Sequence, residues 1–213
     1  MIAALALLVV TAAAPPADDA NTLLAALAGH FRGAPSVKGH FVQAYTNKAL
    51  GREVKEEGTL LLAPPDRLRW EYVKPERKLF IAAGGVSWFY VPADEVAYRV
   101  FLDKDRSRLL PTRFILGDEK LGDEFEATEV PAHEGQRRLV LMPRVPTEEL
   151  ERLVLTLAFP GPRLDTLDVL DPLGNRTSYR FTDLAAAGTP RASDFSFEPP
   201  KGVDVVDEGS SRP

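Results

Sequence analysis

Residues 58–72 read Gly58-Thr59-Leu60-Leu61-Leu62-Ala63-Pro64-Pro65-Asp66-Arg67-Leu68-Arg69-Trp70-Glu71-Tyr72, and Pro75 and Trp88-Phe89-Tyr90 follow. Large apolar side chains recur at every second position, and turn-forming residues separate the runs. Leu60 and Leu62 fall on one strand face, Leu68, Trp70 and Tyr72 on another, and Trp88 and Tyr90 on a third. No acid, nucleophile or metal-ligand cluster interrupts them. A filled small barrel alternates small and large residues to fit its taper. Here wide side chains repeat on neighbouring strands, which suits either an ordinary sandwich core or a cavity for an apolar ligand. Glu71 alternates outward beside Arg67 and Arg69, as a charge pair on the solvent face would.

Outward from this stretch the same period continues. Upstream, Val37, Gly39, Phe41, Gln43 and Tyr45 share one side of a strand. Further strands are expected at about 53–63, 67–73, 78–83, 86–91 and 95–102, with Gly84-Gly85 where a tight hairpin needs it. After a polar insertion at 103–108, Leu109-Leu110-Pro111 and Phe114-Ile115-Leu116 offer short helical turns before Gly117. Strands resume at about 123–130, 137–142, 152–159, 164–171 and 176–182, with a turn at Asp171-Pro172-Leu173-Gly174-Asn175. Phe195-Ser196-Phe197 is expected to add an edge strand. Before the strands, Asn21-Thr22 can cap a helix over Leu23–Arg32, whose Leu23, Leu24, Leu27 and Phe31 form one apolar face.

The expected fold is mainly β. It is a curved, incompletely closed antiparallel β-barrel of about ten or eleven strands with a helical lid, made of the N-terminal helix and the short mid-chain helices. The lid helix must bury its apolar face, and the open mouth of the sheet is the available place.

Met1 to Ala14 is uncharged and mostly apolar and ends in small residues, the pattern of a secretory leader. Residues 1–17 are read as a signal peptide, 18–205 as one domain, and 206–213 as a tail that loses order. The formal net charge is −5, with both signs interspersed, which argues against nucleic acid as a partner. The chain has no cysteine, which excludes disulfides, thiol catalysis and zinc–thiolate sites. Its 3 histidines, His30, His40 and His133, have no metal-binding spacing. No nucleophile elbow, phosphate loop or dinucleotide fingerprint occurs, so neither a metal nor a cofactor is expected. Asp118, Glu119, Asp123, Glu124 and Glu126 cluster, but as a solvated loop and strand edge rather than as paired catalytic acids.

The chain also resembles the periplasmic lipoprotein carriers of the LolA-like family. The resemblance runs through Phe41-x-Gln43, Gly58-x-Leu60-x-Leu62-x-x-Pro65-x-x-Leu68-Arg69-Trp70, Pro75, Ile81 and Gly85-x-x-Trp88-x-Tyr90. It returns at Asp171-x-x-Gly174-Asn175-x-Thr177, Phe181 and Phe195-x-Phe197-x-x-Pro200-x-Gly202-Val203-Asp204. It implies an unclosed barrel under a helical lid, a periplasmic location, and acyl chains of a lipoprotein held in the hydrophobic space between the two. It further implies an inner-membrane ABC-type release complex as donor, an outer-membrane acceptor lipoprotein, and a monomer, since a carrier faces its partners in turn.

The lipid-binding set expected on this basis is Leu60, Leu62, Leu68, Trp70, Trp88 and Tyr90 from the sheet, with Leu23, Leu27 and Phe31 from the helix. The hollow is expected beneath that helix. The family carries an Arg that latches the lid just before Pro65, and this chain has Pro64 there, with no charge and no N–H. The missing cysteine separates the chain from the lipid-anchored acceptor. A lipid-binding sensor or envelope-assembly module on the same fold is the alternative function, and a carboxylate-dependent hydrolase ranks behind both.

Overall fold

The computed structural model describes residues 17–101, 110–118 and 120–208. The leader sequence, the polar insertion at 103–108 with Leu109, Glu119 of the acidic cluster and the last residues of the expected tail lie outside the described residues.

A helix, α1 (Ala17–Gly29), precedes six strands: β1 (Ser36–Asn47), β2 (Arg52–Ala63), β3 (Arg67–Lys74), β4 (Lys78–Ala83), β5 (Val86–Val91) and β6 (Val96–Phe101). Two short helices follow, α2 (Leu110–Leu116) and α3 (Leu121–Glu124). Then come β7 (Phe125–Val130), β8 (Gln136–Pro143), β9 (Arg152–Ala158), β10 (Arg163–Leu170), β11 (Arg176–Ala187) and β12 (Asp204–Glu208). They form one 12-stranded sheet in the order β12-β6-β5-β4-β3-β2-β1-β11-β10-β9-β8-β7. Every pairing is antiparallel except that of β12 with β6, which is parallel. β12 and β7 are the two edges, so the sheet curls without closing.

β1 is the hinge of the architecture. It pairs with β2 along one side and β11 along the other, from Ser36 opposite Ala187 to Thr46 opposite Arg176. Gly84 and Gly85 form the β4–β5 turn at φ 59° and 79°, as a tight hairpin requires. The Asp171 carboxylate closes the β10–β11 turn by accepting from the Asn175 backbone N–H (2.8 Å) and side-chain amide (2.7 Å).

Several local expectations are corrected. α1 starts before Asn21-Thr22 and stops at Gly29, because its apolar stripe begins a turn earlier, at the buried Ala20. Phe31 still packs against the core, but from the turn that follows the helix. α3 occupies the start of the strand expected from 123. Phe195 ends a tight helical turn at 192–195 rather than entering a strand, and its ring is buried. Order continues past 205: Val206, Asp207 and Glu208 pair with Tyr98, Arg99 and Val100. Asp207 fixes that edge through a bidentate contact from Arg99 (2.7 and 2.8 Å).

Candidate functional site

The helices lie over one face of the curved sheet, with α1 packed on β7, α2 and α3. Residues paired across a ladder share a face. Leu62, Leu68 and Ala82 therefore form one row on this inner face, and Leu60, Trp70 and Phe80 the next. Leu60, Leu62, Leu68 and Trp70 join Leu23, Leu24 and Leu27 of α1 and Phe114 and Ile115 of α2 in one core, and Phe31 packs against it. The sequence-predicted residues of α1, β2 and β3 are thus brought together.

Trp88 and Tyr90 are not part of that group. The Gly84-Gly85 turn pairs Ala83 with Val86, so Trp88 falls opposite Ile81 and Tyr90 opposite Leu79, on the outer face. Phe197 covers both, with ring centroids 5.5 Å from Trp88 and 5.1 Å from Tyr90, and the Arg99 guanidinium lies 5.4 Å from the Trp88 ring. Phe89, between them in sequence, pairs with Phe80 and shares Trp70's face. Alternation within β5 was readable, but which phase faced inward was set by the hairpin register.

The expected hollow beneath α1 is also corrected. Leu62 is 0% exposed, Leu68 1%, Leu60 2%, Leu27 3% and Leu23 6%, so the side chains of helix and sheet fill the interior there. Open space lies instead beside it. A cavity of about 770 Å³ sits between α2, α3 and the 143–150 loop, with Leu110, Phe125, Pro143, Val145, Leu150 and Val169 as its apolar wall. Arg113, Lys120, Arg144, Asp118, Glu124 and Glu149 supply its charged lining. Val169 stands two residues from Leu167, which pairs with Tyr179, whose ring centroid is 5.5 Å from Trp70. The cavity therefore adjoins the inner face that carries Trp70.

Pro64 faces α2 across a smaller cleft of about 320 Å³. Neither neighbouring arginine replaces the latch. Arg67 reaches back to the Pro64 carbonyl (3.4 Å) and lies over the Phe195 ring, while Arg69 pairs with Glu71 on the outer face. The polar ties of the lid come from a residue the sequence did not single out. Arg113 of α2 donates to Asp118 (2.7 Å) and, in a bidentate pair, to Glu124 at the end of α3 (2.8 and 2.7 Å). Burial pushes the Asp118 carboxyl up, but hydrogen bonds from the Lys120 N–H and Arg113 together outweigh it and hold it below the usual range. The acidic cluster around 118–124 signalled a charged segment, and only the fold shows that Arg113 ties two of its members, Asp118 and Glu124, together.

Gly117 ends α2 at φ 76°, and a Cβ there would lie 1.9 Å from the Ala28 carbonyl oxygen. The two lid helices meet at this point because no side chain separates them.

At the other end of the inner face the lining turns polar. Tyr72 Oη donates to Gln43 Oε1 (2.8 Å), Gln43 Nε2 to Glu56 Oε2 (3.4 Å) and Lys78 Nζ to Glu56 Oε1 (2.6 Å). Burial, with Glu56 adding, pushes the Tyr179 hydroxyl up to about 12, and Tyr72 is raised further by burial, Tyr179 and Glu56. Both phenols remain neutral.

Among known proteins, the family described as Outer membrane lipoprotein carrier protein LolA matches residues 32–198. The chain belongs to this family. An outer-membrane lipoprotein carrier protein of Xanthomonas campestris pv. campestris is 32% identical over 179 residues, covering 82% of this chain and 83% of that one. One from Chromohalobacter salexigens is 32% identical over 161 residues, 75% of each chain. The crystal structure of an uncharacterized conserved protein from Thermus thermophilus shares the fold, with a TM-score of 0.55 at 16% identity over 89% of this chain and 99% of that one. The sequence relatives are named as carriers rather than enzymes. Among the described residues, no helix is long and apolar enough to cross a membrane.

Proposed function

We propose that this protein is a periplasmic carrier that shields the acyl chains of lipoproteins and passes them from an inner-membrane ABC-type release complex to an outer-membrane acceptor. The observation that carries the reading is an apolar inner face under two helices, flanked by a cavity of about 770 Å³ in a member of a carrier family. That volume falls within the roughly 300–1,000 Å³ of ligand sites.

Because the interior beneath α1 is filled, loading requires the lid to move, and energetics permit the exchange. Each buried leucine is worth about 1.5–3 kcal/mol, so lifting Leu23, Leu24 and Leu27 off the sheet costs roughly 5–9 kcal/mol. A long acyl chain gains about 0.8 kcal/mol per buried CH₂, on the order of 10 kcal/mol in total. The two terms nearly offset, which suits a protein that must both accept and surrender its cargo without nucleotide hydrolysis. Leu60, Leu62, Leu68 and Trp70, with Leu23, Leu27 and Phe31, are assigned to the acyl site, and Val169 and Phe125 extend it.

The test is mass spectrometry of the protein purified from its native periplasm, followed by depletion of the protein in the same host. Co-purifying acylated protein and accumulation of lipoproteins at the inner membrane are expected. An unchanged lipoprotein distribution after depletion would refute the transport role. A disulfide stapling α1 to β7 should abolish cargo uptake if the lid has to move.

A further inference from the structure

Trp70 is the one tryptophan on the inner face, 5% exposed, and its indole N–H has no acceptor among the described residues. A buried donor without a partner costs about 1–3 kcal/mol. Its surroundings are aromatic: Phe41 at 4.6 Å, and Tyr179 and Phe181 edge-on at 5.5 and 6.3 Å. A ring face is at best a weak acceptor.

The position of this donor along the sheet is informative. On one side stands the row of Leu62 and Leu68, while Leu60 lies directly opposite Trp70. On the other, the next residue of β3 on the same face is Tyr72, which opens the Gln43–Glu56–Lys78 network. Trp70 thus marks the border between an apolar trough and a polar end. An acylated molecule has the same sequence of chemistry: hydrocarbon, then a carbonyl, then a polar head. We infer that Trp70 Nε1 donates to the ester carbonyl of an acyl chain, with the hydrocarbon running toward Leu68 and the lid and the head lying at the Tyr72–Lys78 end. This inference rests on the carrier reading and adds an orientation and a carbonyl-reading donor to it. It also gives the closed interior a polar group that only the cargo satisfies.

The experiment compares ester-linked lipids with their ether-linked twins, which keep the hydrocarbon and the head but lack the carbonyl. The probes are phosphatidylglycerol and a synthetic S-diacylglyceryl-cysteine peptide, each in ester and ether form, measured against wild-type protein and Trp70→Phe. Wild type should bind each ester form about fivefold more tightly than its ether twin, the worth of one net hydrogen bond. In Trp70→Phe that ratio should fall to one. A preference for the peptide pair alone assigns the site to lipoprotein, and an equal preference in both pairs assigns it to acyl esters in general. A ratio of one in wild type, or a ratio kept in Trp70→Phe, overturns the orientation while leaving the carrier reading intact. Binding of none of the four probes overturns both.

Because the chain has 2 tryptophans, Trp88→Phe leaves Trp70 as the sole indole, which covers the case in which Trp70→Phe misfolds. Its indole N–H resonance should move downfield with the ester probe and not with the ether probe. An identical response to both would equally overturn the inference.

Discussion

Trp70 and Trp88 stand on opposite faces of the same β3–β4–β5 meander. Trp70 lies under the lid among Phe41, Tyr179 and Phe181, while Trp88 lies beneath Phe197 with Arg99 over its ring. The first region is buried, and its core continues into the helices. The second is a seam in which a late segment straps the outside of the sheet, with the Arg99–Asp207 pair at its rim. Width and apolarity are common to both. What separates them is the cover: helices that the proposed function requires to lift on one face, a strand-bound segment that holds the edge on the other.

The contrast can be broken experimentally, and the largest effect is expected inside. Leu68→Glu places an uncompensated carboxylate in the closed core and should cost about 3–5 kcal/mol in urea unfolding. A smaller loss together with increased exposure of α1 to hydrogen exchange would show that the lid lifts to hydrate the charge. Gly117→Ala comes next, at about 1–3 kcal/mol, because the backbone conformation and the Ala28 carbonyl both oppose a Cβ there. Its signature should be faster exchange in α1 and α2 with β12 unaffected.

Trp88→Ala should cost about 1–2 kcal/mol by loosening the Phe197 strap, with lipid affinity unchanged. A fall in lipid affinity would erase the distinction between the two faces. Arg113→Gln should cost about 1 kcal/mol, enough to raise lid opening several-fold by exchange. The Asp118 share of this tie has a definite pH sign. Its folded pKa is depressed, so its stabilisation is complete above the ordinary value of 3.8 and is lost as pH falls through the lower folded value. Wild type should therefore lose α2–α3 protection below about pH 4, and Arg113→Gln should show a flatter profile there. Pro64→Arg is expected to have the smallest effect on stability, under about 1 kcal/mol, since an exposed pair to Asp118 across the cleft is worth little. Stopped-flow uptake should nevertheless slow, and unchanged kinetics would show that the family latch has no counterpart at this position.

The strands were legible because their alternation is long and their turns are chemically marked. Pro64-Pro65-Asp66, Gly84-Gly85 and Asp171–Asn175 each ended a run where the structure ends it. Less legible was anything set by one strand against another. Trp88 and Phe89 differ by a single step, and only the pairing of Ala83 with Val86 says which of them joins Trp70. The filled interior under α1 was unreadable for a related reason. Leu23 and Leu68 announce apolar faces, but whether two such faces leave a gap depends on their separation, which no local pattern encodes. Arg113 was missed because a lone arginine in a short helix has no motif, and its role exists only once Asp118 and Glu124 fold back around it.

The double pairing of β1 has a kinetic consequence. Its ladder with β2 can form as soon as a hairpin's length of chain is present, but its ladder with β11 must wait for residues 176–187. Contacts so distant in sequence are slow to find, since the intervening chain has to surrender its freedom before they return anything. Until then Phe41 and its neighbours lack Phe181 and Tyr179 to lie against. Refolding of this protein should therefore be governed by a late search that joins its two halves, and for that interval a molecule suited to sheltering oily groups carries its own uncovered.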